Sequence, residues 1–257
     1  MADNEDVKPK ATLYWLDRSR SQRILWLLRE CQGLDFDVKI FKRQSNQLAP
    51  PELKEIHPLG KSPIVSIEAP ASPKPLILAE SAMIVEYLCE HFATHLIPKR
   101  YRDGKEGQAG GETEQWLRYR YFMHYAEGSL MIVMILAVVM DMIGNNPSTP
   151  FFIRPITRMI VGGVNSAFLG PQMALHFKFL EDQIATAPED GPFFCGKSLT
   201  GVDILLSFPL IAARGRIEAK QYPKLNAYID MIEGLESYKA SVKQIEEISG
   251  EPYQSRL

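Results

Sequence analysis

Cysteine is scarce in this chain. Its three residues, Cys31, Cys89 and Cys195, lie far apart and form no CxxC pair. That excludes a disulfide framework and a zinc ribbon, and it fits free thiols in a reducing compartment. Neither sign of charge dominates: 29 Lys and Arg against 31 Asp and Glu leave a net charge of −2. The overall balance therefore gives no electrostatic reason to expect nucleic acid or an anionic membrane as partner. The first ten residues are polar and charged, without the apolar stretch of a signal peptide. The most apolar run, residues 130–140, is too short to span a bilayer and ends at Asp141. It reads as a buried helix, with peripheral membrane contact through its methionines as a second reading. Apolar residues are plentiful, at 46% of 257, enough for the cores of two domains.

Strand and helix signals alternate in the first part. Residues 11–16 read as a short buried strand. Residues 21–31 read as a helix with Ile24, Leu25, Leu27, Leu28 and Cys31 facing a core and Gly33 as its stop. Phe36, Val38 and Ile40 alternate with charged residues as in a half-buried strand. A polar loop follows over 42–51. Strands are expected at 64–67 and 76–78. A helix is then expected from Glu80 and Ser81 to about Phe92, with Ile84, Tyr87, Leu88 and His91 on one face. The order βαβ then ββα is thioredoxin-like. The Gly-rich, charged stretch 94–111 reads as a linker. Beyond it no strand pattern occurs: 112–143 is one long helical signal, 145–150 breaks it, and 151–170 is irregular and weakly helical. Helices are expected at 173–185, 200–214 and 223–233. The fold class is thus an α/β thioredoxin-like domain over 11–97 followed by an all-α domain over 111–248.

Three local features point to one kind of ligand. Asp17-Arg18-Ser19-Arg20-Ser21 places hydroxyls and guanidinium groups where a helix N-terminus presents free N–H groups, a place to hold an anion. Equally, Ser19 or Ser21 simply caps that helix. Lys61-Ser62-Pro63-Ile64 puts proline at a strand start, which suits an edge strand or a cis bond. Glu80-Ser81 opens a helix: Ser81 can take a carboxylate and Glu80 an ammonium, or Ser81 is only a cap.

In this order and on this frame, the chain resembles the cytosolic glutathione transferase superfamily, most nearly the fungal subgroup typified by the yeast microsome-associated enzymes. The segments carrying the resemblance are TLYWLDRSRSQRILWLLRE, APPELKEIHPLGKSPIV, ILAESAMIVEYL, YAEGSLM and SLTGVDILLSFPL, spanning about residues 12–238. Thr200 and Asp203 in SLTGVDI form a capping box, a folding device. The resemblance implies that Pro63 is cis and that Ile64 offers backbone bonds to the cysteinyl part of glutathione. It implies that Glu80 and Ser81 grip the γ-glutamyl end, and that Lys61 with His57 neutralises the glycine carboxylate. The sulfur then lies near the end of the first strand and the start of the first helix, and Arg20 and Ser62 count among the glutathione-binding residues.

Lowering a thiol pKa from about 8.5 by about two units needs roughly 2.7 kcal/mol of preferential thiolate stabilisation. Ser19, four residues before Arg23, matches the spacing of the serine in serine-type transferases and is the first choice of donor. Tyr14 is the rival, since residues 14–20 also resemble the stretch from the catalytic tyrosine to an Arg-x-Arg pair in tyrosine-type enzymes. A third reading is that Arg18 and Arg20 matter more than either hydroxyl. No cysteine stands at position 19, which argues against a protein-thiol mechanism. Tyr121, His124 and Tyr125 are the expected second-substrate pocket. His124 and Glu127 form a possible polar pair without a third ligand, so no metal is expected.

The activity expected is conjugation of the glutathione thiolate to apolar electrophilic small molecules in detoxification. Glutathione-dependent peroxide or disulfide reduction, and a non-catalytic ligand carrier, are the alternatives. Glutathione is a co-substrate and no other cofactor is expected. The resemblance further implies a homodimer in the cytoplasm, with attachment to the endoplasmic reticulum surface as a variant, and no transmembrane span.

Overall fold

The computed structural model describes residues 8–255. Strand β1 (Lys10–Leu16) buries Ala11, Leu13 and Trp15 on one face, as the two-residue period requires. Helix α1 (Ser21–Glu30) returns the chain to β2 (Asp35–Phe41), which lies parallel to β1. A turn of helix, α2 (Leu53–Ile56), follows the polar loop, in a stretch to which the sequence assigned no element. Strands β3 (Ile64–Glu68) and β4 (Leu76–Ala79) complete a sheet of order β2-β1-β3-β4, with β3 antiparallel to both neighbours. Helix α3 (Ser81–Phe92) covers the sheet beside α1. Its inner face is Ile84, Val85, Leu88 and Cys89; Tyr87 and His91 instead stack on each other nearer the surface, centroids 4.4 Å apart.

The rest of the described chain is helical. Thr113 caps α4 (Glu114–Tyr125) by accepting from Trp116 N–H at 3.2 Å. A π-turn, Ala126–Leu130, joins α4 to α5 (Met131–Gly144). The combined helix Glu114–Gly144 is long and apolar enough to cross a membrane by length and composition. Its inner face lies in the core, however, and Glu127 within it is ion-paired to α1.

Residues 151–170 correct the sequence reading. From Arg154 they belong to a second long helix, made of α6 (Arg154–Val164), a π-turn (Asn165–Leu169) and α7 (Gly170–Ala185). The helical signal is faint because Gly162, Gly163 and Pro171 all disfavour helix. The π-turn directly precedes Pro171, which cannot supply the regular i→i−4 bond.

Helix α8 (Gly201–Ala212) runs through the middle, almost wholly buried. A Cβ on Gly201 would stand 2.9 Å from Cys89 Sγ, so glycine lets α8 approach α3 closely. The Thr200 N–H donates to the Asp203 carboxylate at 2.9 Å, the expected cap. Helices α9 (Pro223–Gly234) and α10 (Glu236–Ser249) follow. α10 has no counterpart in the sequence reading, because only Tyr238, Ser241 and Ile245 of its charged sequence are buried. It packs on α1, with Trp26 Nε1 donating to Ser237 Oγ at 2.9 Å and Gln22 Nε2 to Ser241 Oγ at 3.1 Å. One apolar core runs continuously through α1, α3, α8 and α9.

Candidate active site

The loop 17–20 between β1 and α1 meets α5 and α8 at a cleft of about 290 Å³. Arg18, Ser19, Arg20, Lys61 and Ser62 line one side. A small recess continues from it between His57, Lys61, Pro63, Glu80 and Ser81, sharing Arg20 and Ser62. Nine of the sequence-predicted residues therefore converge on one continuous surface.

The start of α1 shows how the loop is held. Ser19 Oγ accepts from Ser21 N–H at 3.1 Å, so it ties down the first N–H of the helix from one residue outside the N-cap, Arg20. The same hydroxyl donates to the Leu16 carbonyl at 2.7 Å and lies 2.7 Å from Ser21 Oγ. Ser21 Oγ lies 2.5 Å from Ser62 Oγ, which donates to the Tyr14 carbonyl at 3.0 Å. Three buried hydroxyls thus form a chain that ends on a carbonyl. Since that carbonyl can only accept, Ser62 donates to it and Ser21 donates to Ser62, which leaves Ser19 one proton, given to the Leu16 carbonyl and free to turn to a better acceptor at the cleft. Arg43, absent from the sequence reading, fixes the outer part of the loop. Its Nε donates to the Asp17 carbonyl at 3.1 Å and its Nη2 to the Arg18 carbonyl at 3.0 Å. Burial pulls its guanidinium below the ordinary range, opposed by Asp17 and reinforced by Arg18. Arg18 itself has φ 47, a left-handed conformation that this clamp sustains.

The Ser62–Pro63 peptide is cis. At the recess, Glu80 has φ 68 and Ser81 is the first residue of α3. Ser81 does not cap the helix: its hydroxyl is buried and, among the described residues, has no hydrogen-bond partner. A buried hydroxyl without a partner carries the desolvation penalty of an unmade bond. It sits beside the free N–H groups of a twelve-residue helix, where an anion is favoured. His57 lies at the other end of the recess, its Nδ1 accepting from Leu59 N–H at 3.4 Å.

Five predicted residues lie elsewhere. The Ile64 side chain is fully buried in β3, in register with Tyr14 and Ala79, so only its backbone is left to serve a ligand, while Ser62 and Pro63 line the cleft and its recess. Tyr14 faces away from the cleft; it packs with Phe41 and Ile56, and its hydroxyl is 3.4 Å from Ser66 Oγ. A central strand alternates faces, and Tyr14 is on the face opposite α1. Tyr121 stacks on Tyr125, whose hydroxyl is 2.7 Å from His176 Nδ1, and His124 is exposed. The wall facing Ser19 is instead Met131, Ile135 and Phe208. The π-turn accounts for the difference: one extra residue rotates the downstream helix by about 100° relative to a regular continuation. Glu127 pairs with Arg20 and Arg23 rather than with His124.

The cysteine thiols offer no nucleophile. Burial pushes Cys31 and Cys195 well up and Cys89 to about 12. Cys31 is half-buried, and Cys89 and Cys195 are buried. Among the described residues no group of His, Cys, Asp and Glu is arranged to hold a metal ion. A groove of about 700 Å³ between α8 and α10 contains none of the predicted residues.

A cationic cleft with one acid at its far end thus lies on a thioredoxin-like sheet walled by a helical domain. Residues 18–91 match the family described as "Glutathione S-transferase, N-terminal domain". Glutathione S-transferase 1 of Saccharomyces cerevisiae is 33% identical over 236 residues, covering 91% of this chain and 94% of its own. A glutathione S-transferase structure from Actinobacillus pleuropneumoniae superposes with a TM-score of 0.64 at 27% identity, over 95% of each chain. A glutathione transferase homologue from Lodderomyces elongisporus, solved with two GSH per subunit, shares the fold with a TM-score of 0.65 at 16% identity. That match covers 90% of this chain and 97% of its own. The chain belongs to the glutathione S-transferase family and is an enzyme of that type.

Proposed function

We propose that the cleft binds glutathione in one orientation and directs its thiolate at apolar electrophilic small molecules. The observation carrying this is Ser81, whose unpartnered buried hydroxyl awaits an acceptor beside Glu80. The γ-glutamyl carboxylate takes that hydroxyl and the α3 N-terminus, and its ammonium takes Glu80. Lys61, with His57, takes the glycine carboxylate. The sulfur then faces Ser19, with Arg18 and Arg20 nearby and Met131, Ile135 and Phe208 opposite. In the reaction the sulfur lone pair forms a carbon–sulfur bond, and the leaving group departs with the electrons of the broken bond. In additions, the displaced π electrons take a proton instead. The protein contributes thiolate stabilisation and positioning, with no covalent enzyme intermediate.

Calorimetry tests the orientation. Ser81→Ala is expected to weaken glutathione binding by roughly tenfold or more, the worth of a hydrogen bond to a charged group. Its melting temperature should stay level or rise, because the lost hydroxyl has no partner to lose. Undiminished affinity in Ser81→Ala would sink this orientation. A panel of electrophiles tests the chemistry: halonitrobenzene conjugation is expected. Turnover of cumene hydroperoxide alone would redirect the reading to peroxide reduction, and binding without turnover to a carrier. A homodimer belongs to the same reading and is measured by analytical ultracentrifugation.

We also infer peripheral attachment of this cytoplasmic enzyme to an anionic membrane surface, such as the endoplasmic reticulum. Its support is local and hidden by the near-zero net charge. No Asp or Glu occurs over residues 142–180, while Phe151, Phe152, Met159 and Ile160 are exposed beside Arg154 and Arg158. Apolar anchors with arginines suit the headgroup boundary of a bilayer. Co-sedimentation is expected with phosphatidylcholine vesicles containing phosphatidylserine, and it should fail for Phe151→Ser/Phe152→Ser. Wild-type protein that stays in the supernatant would rule the attachment out.

A further inference from the structure

Glu127 occupies the π-turn after α4, yet its carboxylate reaches back to the start of α1. It accepts from Arg20 Nη1 at 2.5 Å and also from Arg23 Nη2. Arg23 is fully buried, and its Nη1 is committed to the Leu205 carbonyl of α8 at 2.6 Å. Arg20, about one-quarter exposed, lines both the main cleft and the recess. Burial pushes the Glu127 carboxyl up, but Arg23 and Arg20 outweigh it and hold the group below the usual carboxylate range. Burial pulls Arg23 down to about 10, against the attraction of Glu127, so it remains cationic at neutral pH. Two cations from the first domain are therefore joined through one anion from the second.

We propose that Glu127 is a positioning residue for glutathione, acting through Arg20. This rests on the reading of Arg20 as a glutathione contact. Arg23 cannot move, because it is enclosed and held by α8 as well. Arg20 can move, and without the carboxylate it would face a buried like charge at close range. It then swings toward water and leaves the cleft. The π-turn makes the arrangement possible: it aims Glu127 at α1 while turning Met131 and Ile135, further along the same helix, toward the cleft. The helix that walls the electrophile side thus also sets the cation on the glutathione side.

A double-mutant cycle on the full chain separates this role from a merely structural one. Glu127→Gln is expected to raise the glutathione dissociation constant about tenfold, within the range for neighbours in one ion-pair network. Its kcat at saturating glutathione should fall less than its affinity, because the binding part of the defect is overcome by concentration. In an Arg20→Gln background, Glu127→Gln should add no further loss of affinity. Effects that multiply instead would overturn the proposal, as would unchanged affinity in Glu127→Gln. Wild-type protein that binds no glutathione overturns both this and the functional reading, whereas wild-type binding with multiplying effects overturns this alone. Glu127→Gln also strips the buried Arg23 of its anion, so folding is followed by thermal denaturation. If that variant does not fold, Glu127→Asp keeps the charge but withdraws it by one methylene. The same affinity loss and the same silence in the Arg20→Gln background are then expected.

Discussion

Replacing Ser19 by alanine is expected to cut conjugation at neutral pH by about 10- to 100-fold, the worth of one charge-assisted hydrogen bond. Ser19 Oγ has one proton, now given to the Leu16 carbonyl at 2.7 Å. A thiolate at the cleft is a stronger acceptor than a carbonyl, so the proton turns to it and stabilises the charged form. The sign follows directly. The hydroxyl lowers the pKa of bound glutathione, and its removal lets that pKa rise toward the free-thiol value of about 8.5. The rate profile of Ser19→Ala should therefore rise at higher pH than that of the wild type. Above both pKa values the two rates should draw together. A uniform loss at every pH would show that Ser19 acts by holding the loop, through its bond from Ser21 N–H. Ser19→Thr keeps the hydroxyl and should retain much of the low-pH rate. Tyr14→Phe should leave the profile unmoved, because the Tyr14 hydroxyl lies against Ser66 on the other face of the sheet.

Asp203→Ala is expected to destabilise the fold by ~3–5 kcal/mol, as for breaking a buried charged network from one side. Asp203 is fully buried. Its Oδ2 accepts from Thr200 N–H at 2.9 Å and Thr200 Oγ1 at 2.7 Å, and its Oδ1 from Phe194 N–H at 3.2 Å and Tyr228 Oη at 2.9 Å. All four partners are donors, and alanine leaves them unpaired at the start of the central helix. Asp203→Asn should fare little better, since one of its two polar atoms is itself a donor. Urea denaturation reads the change. A loss below about 1 kcal/mol would mean that the four donors find other partners. Glutathione affinity in the remaining folded protein should be unchanged, since Asp203 does not line the cleft.

The first domain was legible because its signals are local. Alternation at Phe36, Val38 and Ile40, the proline at 63 and the Glu80–Ser81 helix start each depend on a few neighbouring residues. Helix α10 was not, because three buried residues among many charges leave little periodicity. Arg43 was also missed. Its one available signal was the parallel register that sets the end of β2, at Phe41, beside Leu16 and the loop that follows it.

The second domain divides differently. Its sequence establishes that residues 112–143 are helical, and that the helix is apolar on nearly every side. For that reason it does not say which side faces the cleft. Tyr121, His124 and Tyr125 offer the more suggestive chemistry, yet Met131 and Ile135 are the residues that reach the cleft. The choice was made by the single extra residue of the π-turn, which becomes visible only when the backbone is packed against α1 and α8. The same turn brings Glu127 to Arg20 across 107 positions of chain. Sequence alone determined the thioredoxin-like frame and the group of residues around Lys61, Glu80 and Ser81, because short-range patterning carries both. Tertiary structure decided which hydroxyl lines the cleft and which side chains wall it opposite, because each depends on the face an element presents once it is buried.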